Sequence, residues 1–239
     1  MAQSTGLPIA DAHSEGRWTE TGMKTGTLLV IGATRGTGRQ VMQQALAAGH
    51  SVVALTRDPA RIDVPHDVPD QRLSVVRGDV LDPASLAPAM VGQDAVISSF
   101  GVTSRRPTTL YSDGMRNIIQ AMRATGARRL VAVSAWPLSG DDGDTLPSRL
   151  LLKPLLWALL RPVYADMATM EDEIRQSGLD WTIVRPPRLT DKPPTGRYRT
   201  AFNRSVRRGY TISRADLADA IVKLLDDPRA IHAAVGIGY

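Results

Sequence analysis

The chain has 239 residues, a formal net charge of +5 and no cysteine. This length suits a single α/β domain, which would bury about 70–75% of the surface that the unfolded chain exposes. The lack of cysteine excludes disulfides and thiolate chemistry, and the four histidines lack the paired spacing of metal ligands, so we expect no metal. Arginine supplies 25 of the 29 basic residues, but no zinc-ligand, aromatic-platform or basic-helix motif accompanies them, so we predict no nucleic-acid partner.

Residues 1–26 are rich in small polar and charged side chains and show no apolar period. They contain no hydrophobic core of the kind that a secretory signal peptide needs. We therefore predict a disordered tail over residues 1–26, one folded domain over residues 27–239, and a cytoplasmic protein without a membrane partner.

A strand, a glycine-rich turn and a helix follow the tail in direct succession. Leu28–Ile31 is a run of four apolar residues, typical of a strand buried on both faces. Apolar residues then recur at helical spacing from Val41 to Leu46, and Gly49 ends the helix. A glycine motif between a strand and a helix is a much more specific signal than the same glycine spacing elsewhere.

The turn itself is Gly32-Ala-Thr-Arg-Gly36-Thr-Gly38, with the spacing G-x-x-x-G-x-G. Gly32 would let the chain turn sharply, while Gly36 and Gly38 would let backbone approach a pyrophosphate and let the helix pack on the strand. The N–H groups and the positive dipole end of the helix favour a phosphate anion here. We predict a dinucleotide site, the alternative being a glycine-rich turn without a ligand.

The end of the second strand bears on the choice of cofactor. The strand is predicted at Ser51–Thr56, and Arg57 follows it. In dinucleotide-binding folds an acid at this place marks NAD, whereas an arginine accommodates the 2′-phosphate of NADP. Arg35 in the turn could reach the same phosphate. Asp58 is the alternative NAD acid, but Asp58-Pro59 is typical of a helix N-cap followed by proline, so we favour NADP(H).

The remaining pattern alternates strands with helices. Strands are predicted at Leu73–Arg77, Asp94–Ile97, Arg129–Val133, Trp181–Arg185 and Ala233–Ile237, with short ones at Tyr198–Phe202 and Tyr210–Ile212. Helices are predicted from Asp82 to about Val91, from about Thr108 to Thr125, from Tyr164 to Ser177 and from Ser213 to about Leu225. This order predicts a Rossmann-like, doubly wound parallel sheet in a single domain, with ligands beyond the carboxyl ends of the strands.

One segment, Leu150–Arg161, is strongly apolar. It is much shorter than the roughly 20 residues of a membrane span and contains Lys153 and Pro154. We expect a packed helix or a lid over the site, with a dimer face or a membrane-surface contact as the alternatives. The sequence is compatible with a monomer or a homodimer.

The chain resembles the short-chain dehydrogenase/reductase superfamily. The similarity lies in the glycine turn, in Gly78-Asp79-Val80 and in a serine that ends the fifth strand. It is closer still to the atypical, NmrA-like NAD(P)H-binding members, which include the flavin reductase also called biliverdin-IXβ reductase. The sequence motifs shared with that group are Gly92–Val96, Pro107–Thr109, Gly114–Ile118, Ser134-Ala135, Arg175–Leu179, Pro186-Pro187, Thr195–Tyr198 and Ile212-Ser213.

The resemblance implies a set of site residues. Ser134 would be the catalytic group, holding the nicotinamide or the edge of the substrate by its hydroxyl. Trp136 and Arg188 are candidates for lining the acceptor pocket, although Trp136 could equally be a core residue. The implied cofactor-binding residues are Gly32, Thr34, Arg35, Gly36, Thr37, Gly38, Arg57, Asp79, Val80, Phe100, Gly101 and Pro186.

Two departures from the superfamily limit the chemistry. No tyrosine is followed four residues later by lysine, and Tyr164 for example leads to Ala168, so the usual Tyr-Lys proton donor is missing. A histidine discussed as catalytic in the flavin reductase aligns with Glu171, which we expect to be a solvated helix residue. Without an evident proton donor, we predict hydride transfer to a planar conjugated acceptor, first flavin and next tetrapyrrole or quinone. The alternative is a non-catalytic NADP(H) sensor that binds a partner protein.

Overall fold

The computed structural model describes residues 25–64, 69–101, 108–139 and 143–239. The tail predicted for residues 1–26 lies, up to residue 24, outside the described residues, and it stays a prediction. Residue 107 belongs to one of the sequence motifs shared with the NmrA-like group, and it also lies outside the described residues.

Strands and helices alternate along the described chain. The strands are β1 Thr27–Ile31, β2 Ser51–Thr56, β3 Leu73–Arg77, β4 Ala95–Ser98, β5 Arg129–Val133, β6 Asp180–Arg185, β7 Arg188–Thr190, β8 Arg199–Phe202, β9 Thr211–Ser213 and β10 Ala233–Gly238. The helices are α1 Gly36–Ala47, α2 Pro83–Met90, α3 Leu110–Thr125, α4 Lys153–Arg175 and α5 Arg214–Leu225.

Eight of these strands form one twisted sheet in the order β3-β2-β1-β4-β5-β6-β10-β8. Every neighbouring pair is parallel except β10 and β8, which are antiparallel. Strand order reverses between β1 and β4, so a crevice opens there beyond the carboxyl ends of the strands. The predicted doubly wound fold is confirmed. The short strands β7 and β9 pair with each other in a separate small sheet, and the sequence did not indicate β7.

The sheet separates two apolar layers. Leu28 and Val30 belong to the layer packed under α1 and α5, while Leu29 and Ile31 belong to the layer under α2, α3 and α4. Successive side chains of a strand point to opposite faces, so a continuous apolar run is what a strand covered on both sides requires. The burial predicted for this strand is therefore confirmed.

Helix α4 differs from the prediction. The apolar segment and the following amphipathic segment form one helix, Lys153–Arg175, preceded by a π-helical turn at Ser148–Leu152. The two parts meet at a kink at Leu160, whose φ and ψ are −123° and 21°. Pro162 explains it, because proline has no N–H for the helical ladder and its ring displaces the preceding turn.

The apolar part of α4 packs only in part. Leu156 and Trp157 contact the core, whereas Leu151, Leu155 and Leu159 are exposed. Within the described residues, no helix is both long and apolar enough to cross a membrane. The cytoplasmic location and the oligomeric state stay predictions.

Candidate functional site

A cleft of about 670 Å³ opens at the carboxyl edge of β1, β2, β4 and β5. This volume falls within the roughly 300–1,000 Å³ of cofactor and small-molecule sites. Most of the predicted cofactor residues line it: Gly32, Thr34, Arg35, Gly36, Thr37, Arg57, Asp79, Val80, Phe100 and Gly101, together with Ser134.

The glycine turn forms one wall of the cleft, and two of its glycines are required by backbone packing. Gly32 has a φ of +91°, and a Cβ there would lie 2.8 Å from the backbone nitrogen of Phe100. A Cβ on Gly38 would lie 2.2 Å from the carbonyl oxygen of Gly32. Gly38 is buried and does not line the cleft, so it serves the packing of α1 on β1.

The N-terminus of α1 faces the cleft at Gly36. Arg35 occupies the N-cap position in an extended conformation, no side chain caps the helix, and its first turn carries no acid. The amide groups of a first helical turn have no partner inside the helix, and together with the helix dipole they favour an anion. This wall of the cleft can therefore hold a pyrophosphate.

Two arginines of the sequence prediction lie in the cleft. Arg35 and Arg57 are both exposed and both line the cleft. Asp58 does not line it, because its carboxylate accepts a hydrogen bond from Ala60 N at 3.3 Å and caps the 3-10 helix that begins at Pro59. The N-cap interpretation of Asp58 is confirmed.

The loop after β4 contributes an aromatic wall. The rings of Phe100 and Tyr111 stack with centroids 5.9 Å apart. Asp166 of α4 holds this corner, since its carboxylate accepts hydrogen bonds from Tyr111 N at 2.8 Å and Ser112 N at 3.1 Å at the start of α3. Gly101 completes the wall, and a Cβ there would lie 3.2 Å from the Tyr111 hydroxyl.

Tyr111 is a hydroxyl-bearing residue of the cleft that the sequence analysis did not single out. It lines the cleft, a Cβ on Gly101 would lie close to its hydroxyl, and its side chain is largely buried. The expectation that the site has no evident proton donor stays a prediction. Tyr111 does not have the Tyr-x-x-x-Lys spacing, so that pattern does not identify it. Its place in the first turn of the helix after β4 is the signal that could have found it, because that turn lies at the carboxyl edge of the sheet.

Ser134 directly follows β5, lines the cleft and is hydrogen-bonded to Glu171. Its hydroxyl donates a hydrogen bond to Glu171 Oε1 at 2.6 Å. Glu171 is 2% exposed, so the expectation of a solvated helix residue is wrong. It is paired with Arg185, whose Nε lies 2.9 Å from Oε1, and with Arg175 at 2.6 Å. Buried charges in proteins are paired in this way, because an isolated one is very costly.

The position of Glu171 could not be foreseen from its helix alone. The second half of α4 turns this face towards β6, and Arg185 of β6 reaches the carboxylate from the sheet face that α4 covers. A hydroxyl has one hydrogen and two lone pairs. Since Ser134 gives its hydrogen to Glu171, it presents an acceptor to any other group.

Besides Gly38, three predicted residues do not line the cleft. Trp136 is buried, its indole N–H donates to Asp144 Oδ1 at 3.1 Å, and the Lys153 ammonium lies 5.4 Å from the ring centroid. The chain turns away after Ser134 into the 3-10 helix Trp136–Leu138, so Trp136 takes the core role that was its alternative. Arg188 is exposed on β7, and Pro186 is buried beside it.

Several residues of the cleft were not singled out in the sequence. They come from three helices, from the edge of β7 and from the segment that follows it. They are Leu110, Tyr111, Met167, Leu189, Asp191 and Arg214. Arg214 is the first residue of α5, and its Nη1 lies 2.6 Å from Asp191 Oδ1. Across the residues described, no three histidine or acidic side chains form a group that could hold a metal ion.

Comparison with known proteins agrees with this geometry. The family model described as NAD(P)H-binding matches residues 32–228. An uncharacterised chloroplastic protein of Arabidopsis thaliana is 31% identical over 214 residues, which cover 86% of this chain and 74% of that protein.

Two solved structures share the fold. A Rossmann-fold NAD(P)-binding family protein from Shigella flexneri is 26% identical, with a TM-score of 0.68 over 89% of this chain and 93% of that one. The anaerobillin reductase ChuY from Escherichia coli O157:H7 is 24% identical, with a TM-score of 0.70 over 88% of this chain and 96% of that one.

Proposed function

This chain belongs to the NAD(P)H-binding family, as its resemblance to the short-chain dehydrogenase/reductase superfamily predicts, and we propose that it is an NADPH-dependent reductase of a planar conjugated acceptor. Flavin is the first candidate acceptor, and tetrapyrrole or quinone is the next. The proposal rests on one observation above all. The cleft that carries the glycine turn is also lined by Ser134 and by apolar and aromatic side chains.

The choice of NADPH over NADH is supported by charge. Arg35 and Arg57 line the cleft, whereas the neighbouring acid Asp58 is engaged in capping. A guanidinium binds a phosphate through two parallel hydrogen bonds, while the free 2′-hydroxyl of NADH is usually held by an acid. The described residues at this point therefore suit a 2′-phosphate.

The acceptor class is supported by the apolar residues of the cleft. Phe100, Leu110, Val133, Met167 and Leu189 all line it and provide apolar surface against which a flat ring system can lie. The cofactor supplies the hydride, so the protein has to bind and orient the two rings and keep water from them. The fold neighbour from Escherichia coli is named a reductase of anaerobillin, which makes tetrapyrroles worth testing.

Ser134 has a defined part in this scheme. Its hydroxyl hydrogen is held by Glu171, and Arg185 and Arg175 hold Glu171 in turn. Ser134 would therefore orient a ligand by accepting a hydrogen bond from it rather than by supplying a proton. A conjugated ring can delocalise the incoming charge and take its proton from water, whereas the alkoxide formed from a simple ketone needs immediate stabilisation.

Steady-state assays with an acceptor panel test the proposal. NADPH oxidation is followed at the nicotinamide absorbance band with FMN, biliverdin, a quinone and a simple ketone, against a reaction without protein. We expect turnover with at least one conjugated acceptor and none with the ketone. Tight NADPH binding with no oxidation by any acceptor would contradict the proposal and favour the NADP(H) sensor.

A further inference from the structure

The cleft carries an ion pair that the proposed reaction does not use. Arg214 and Asp191 both line it, and their charged groups are 2.6 Å apart. The Asp191 side chain is 87% exposed and that of Arg214 is 29% exposed. Pairs this exposed contribute little to stability, because water screens them and both side chains lose rotamer freedom. Such a pair exchanges partners at little cost.

Arg214 lies directly against the glycine turn. A Cβ built on Gly36 would lie 3.5 Å from Arg214 Nε and 3.6 Å from Arg214 Cδ. Gly36 is also the first residue of α1, whose N-terminal amides favour an anion. A pyrophosphate bound to those amides would therefore come within reach of the Arg214 guanidinium.

Asp191 belongs to an exposed strap, which we define as residues 191–197. The far end of the strap is fixed, because Asp216 of α5 accepts hydrogen bonds from Thr195 N at 2.8 Å and Gly196 N at 2.9 Å. The near end emerges from β7, and the exposed Pro193 and Pro194 lie between the two. Asp191 is thus held near the cleft by its neighbours, and its carboxylate accepts a hydrogen bond from Arg214.

The charges create a conflict that binding has to resolve. A pyrophosphate carries two negative charges, and a carboxylate beside it is unfavourable. Two anions therefore compete for Arg214 when a dinucleotide binds: the Asp191 carboxylate and the phosphate of the dinucleotide.

We infer that Asp191 and Arg214 form an anion gate over the pyrophosphate site. The pyrophosphate displaces Asp191 from Arg214, Arg214 then binds the pyrophosphate against the glycine turn, and the near end of the strap moves away with Asp191. The gate rests on the proposed binding of NADPH. It acts on the part that NADPH and NADH share, unlike Arg35 and Arg57.

Titrations of both cofactors test the gate. Arg214→Ala should weaken NADPH and NADH by the same factor, about 10- to 100-fold, as expected for the loss of a charge-assisted hydrogen bond. Asp191→Ala should tighten both, by up to about 5-fold, because it removes the competing anion. In the double variant Arg214→Ala/Asp191→Ala, the tightening should largely disappear.

A matched control is available in the pair of Arg39 and Asp63. Their charged groups are also 2.6 Å apart and exposed, but neither residue lines the cleft. Asp63→Ala should leave both affinities unchanged. Arg214→Gln, which removes the charge and keeps most of the side-chain length, serves if Arg214→Ala does not fold.

The outcomes separate the gate from the function on which it rests. If wild-type protein does not bind NADPH, the proposed function fails. If it binds NADPH but Asp191→Ala leaves affinity unchanged or weaker, the gate is overturned alone. A loss confined to NADPH in Arg214→Ala would also overturn it, since Arg214 would then serve the 2′-phosphate.

Discussion

At the scale of single residues, some polar groups at the carboxyl edge of the sheet stabilise the fold, and others are exposed in the cleft. Asp58 and Glu171 are both acids near the cleft, yet one caps a 3-10 helix and the other is buried against Arg185. Arg35 and Arg57 remain exposed in the cleft. The two exposed arginines of the cleft match a polyanionic ligand.

The cofactor preference can be tested at Arg57. Arg57→Ala should weaken NADPH by about 10- to 100-fold, the equivalent of about 1.5–3 kcal/mol for a charge-assisted hydrogen bond, and leave NADH nearly unchanged. Fluorescence titration of both cofactors measures this. Arg61→Ala is the control, because Arg61 is also exposed at this strand end but does not line the cleft. Equal losses for the two cofactors in Arg57→Ala would rule out a 2′-phosphate role.

At the scale of elements, Asp216 joins three parts of the chain. It lies in the first turn of α5 and accepts hydrogen bonds from the strap and from the Tyr239 hydroxyl at 2.5 Å. Burial alone would raise the pKa of Asp216, but the hydrogen bonds from Tyr239, Gly196 and Thr195 outweigh it and lower the pKa to about 2. The folded state therefore favours the charged carboxylate.

This pKa sets the sign of a pH effect on stability. A carboxyl whose pKa falls on folding stabilises the protein fully above its unfolded pKa of 3.8, and the contribution is lost as pH falls towards about 2. Asp216→Asn should lower the free energy of unfolding at neutral pH by about 1.5–3 kcal/mol, the range for hydrogen bonds to a charged group. The variant should also lose less stability than wild type between pH 4 and pH 2. Denaturant unfolding at several pH values measures both.

The exposed Asp63 provides the comparison for Asp216. Asp63→Asn should change the free energy of unfolding by less than about 1 kcal/mol, as expected for a surface pair. If Asp216→Asn were equally mild, the strap would not depend on this carboxylate, and the account of its anchoring would be wrong.

The sequence predicted elements well where a local signal decides them. The Asp82-Pro83 start of α2 and the Ser213 cap of α5 are present, with each side chain accepting a backbone N–H of its own first turn. The kink at Leu160 was missed, because a proline can end a helix or bend it, and only the packing of both halves decides which. Strand β7 was missed because three residues carry too little pattern.

The site was likewise predictable only where a local sequence signal places its residues. Residues next to a predicted strand end were found, since the edge of a parallel sheet gathers them at one place. Tyr111, Met167 and Arg214 were not, because each lies on a helix and reaches the cleft only through the way that helix packs. Glu171 was misjudged for the same reason, since Arg185 comes from another element.

At the scale of the whole molecule, one edge of the sheet collects the candidate functional groups. The glycine turn, the aromatic wall and Ser134 follow strand ends, whereas Asp191 lies on an exposed segment. A rigid set of binding groups reduces the ordering cost of the ligand, and proximity of two aligned rings can supply about 7–11 kcal/mol of a reaction barrier in favourable cases. The fold is therefore suited to a reaction in which alignment is the main task.

The central claim is that this cleft carries hydride from NADPH to a conjugated ring, and an anaerobic single turnover tests it most directly. Protein is mixed with one equivalent of NADPH and then with FMN, and the nicotinamide and flavin absorbances are followed together. We predict that both bands decay with the same rate constant, far faster than in a mixture without protein, and that Ser134→Ala slows this rate only by about 2- to 13-fold, the loss of one hydrogen bond. Bound NADPH that persists unchanged beside FMN, a quinone and a tetrapyrrole would contradict the account.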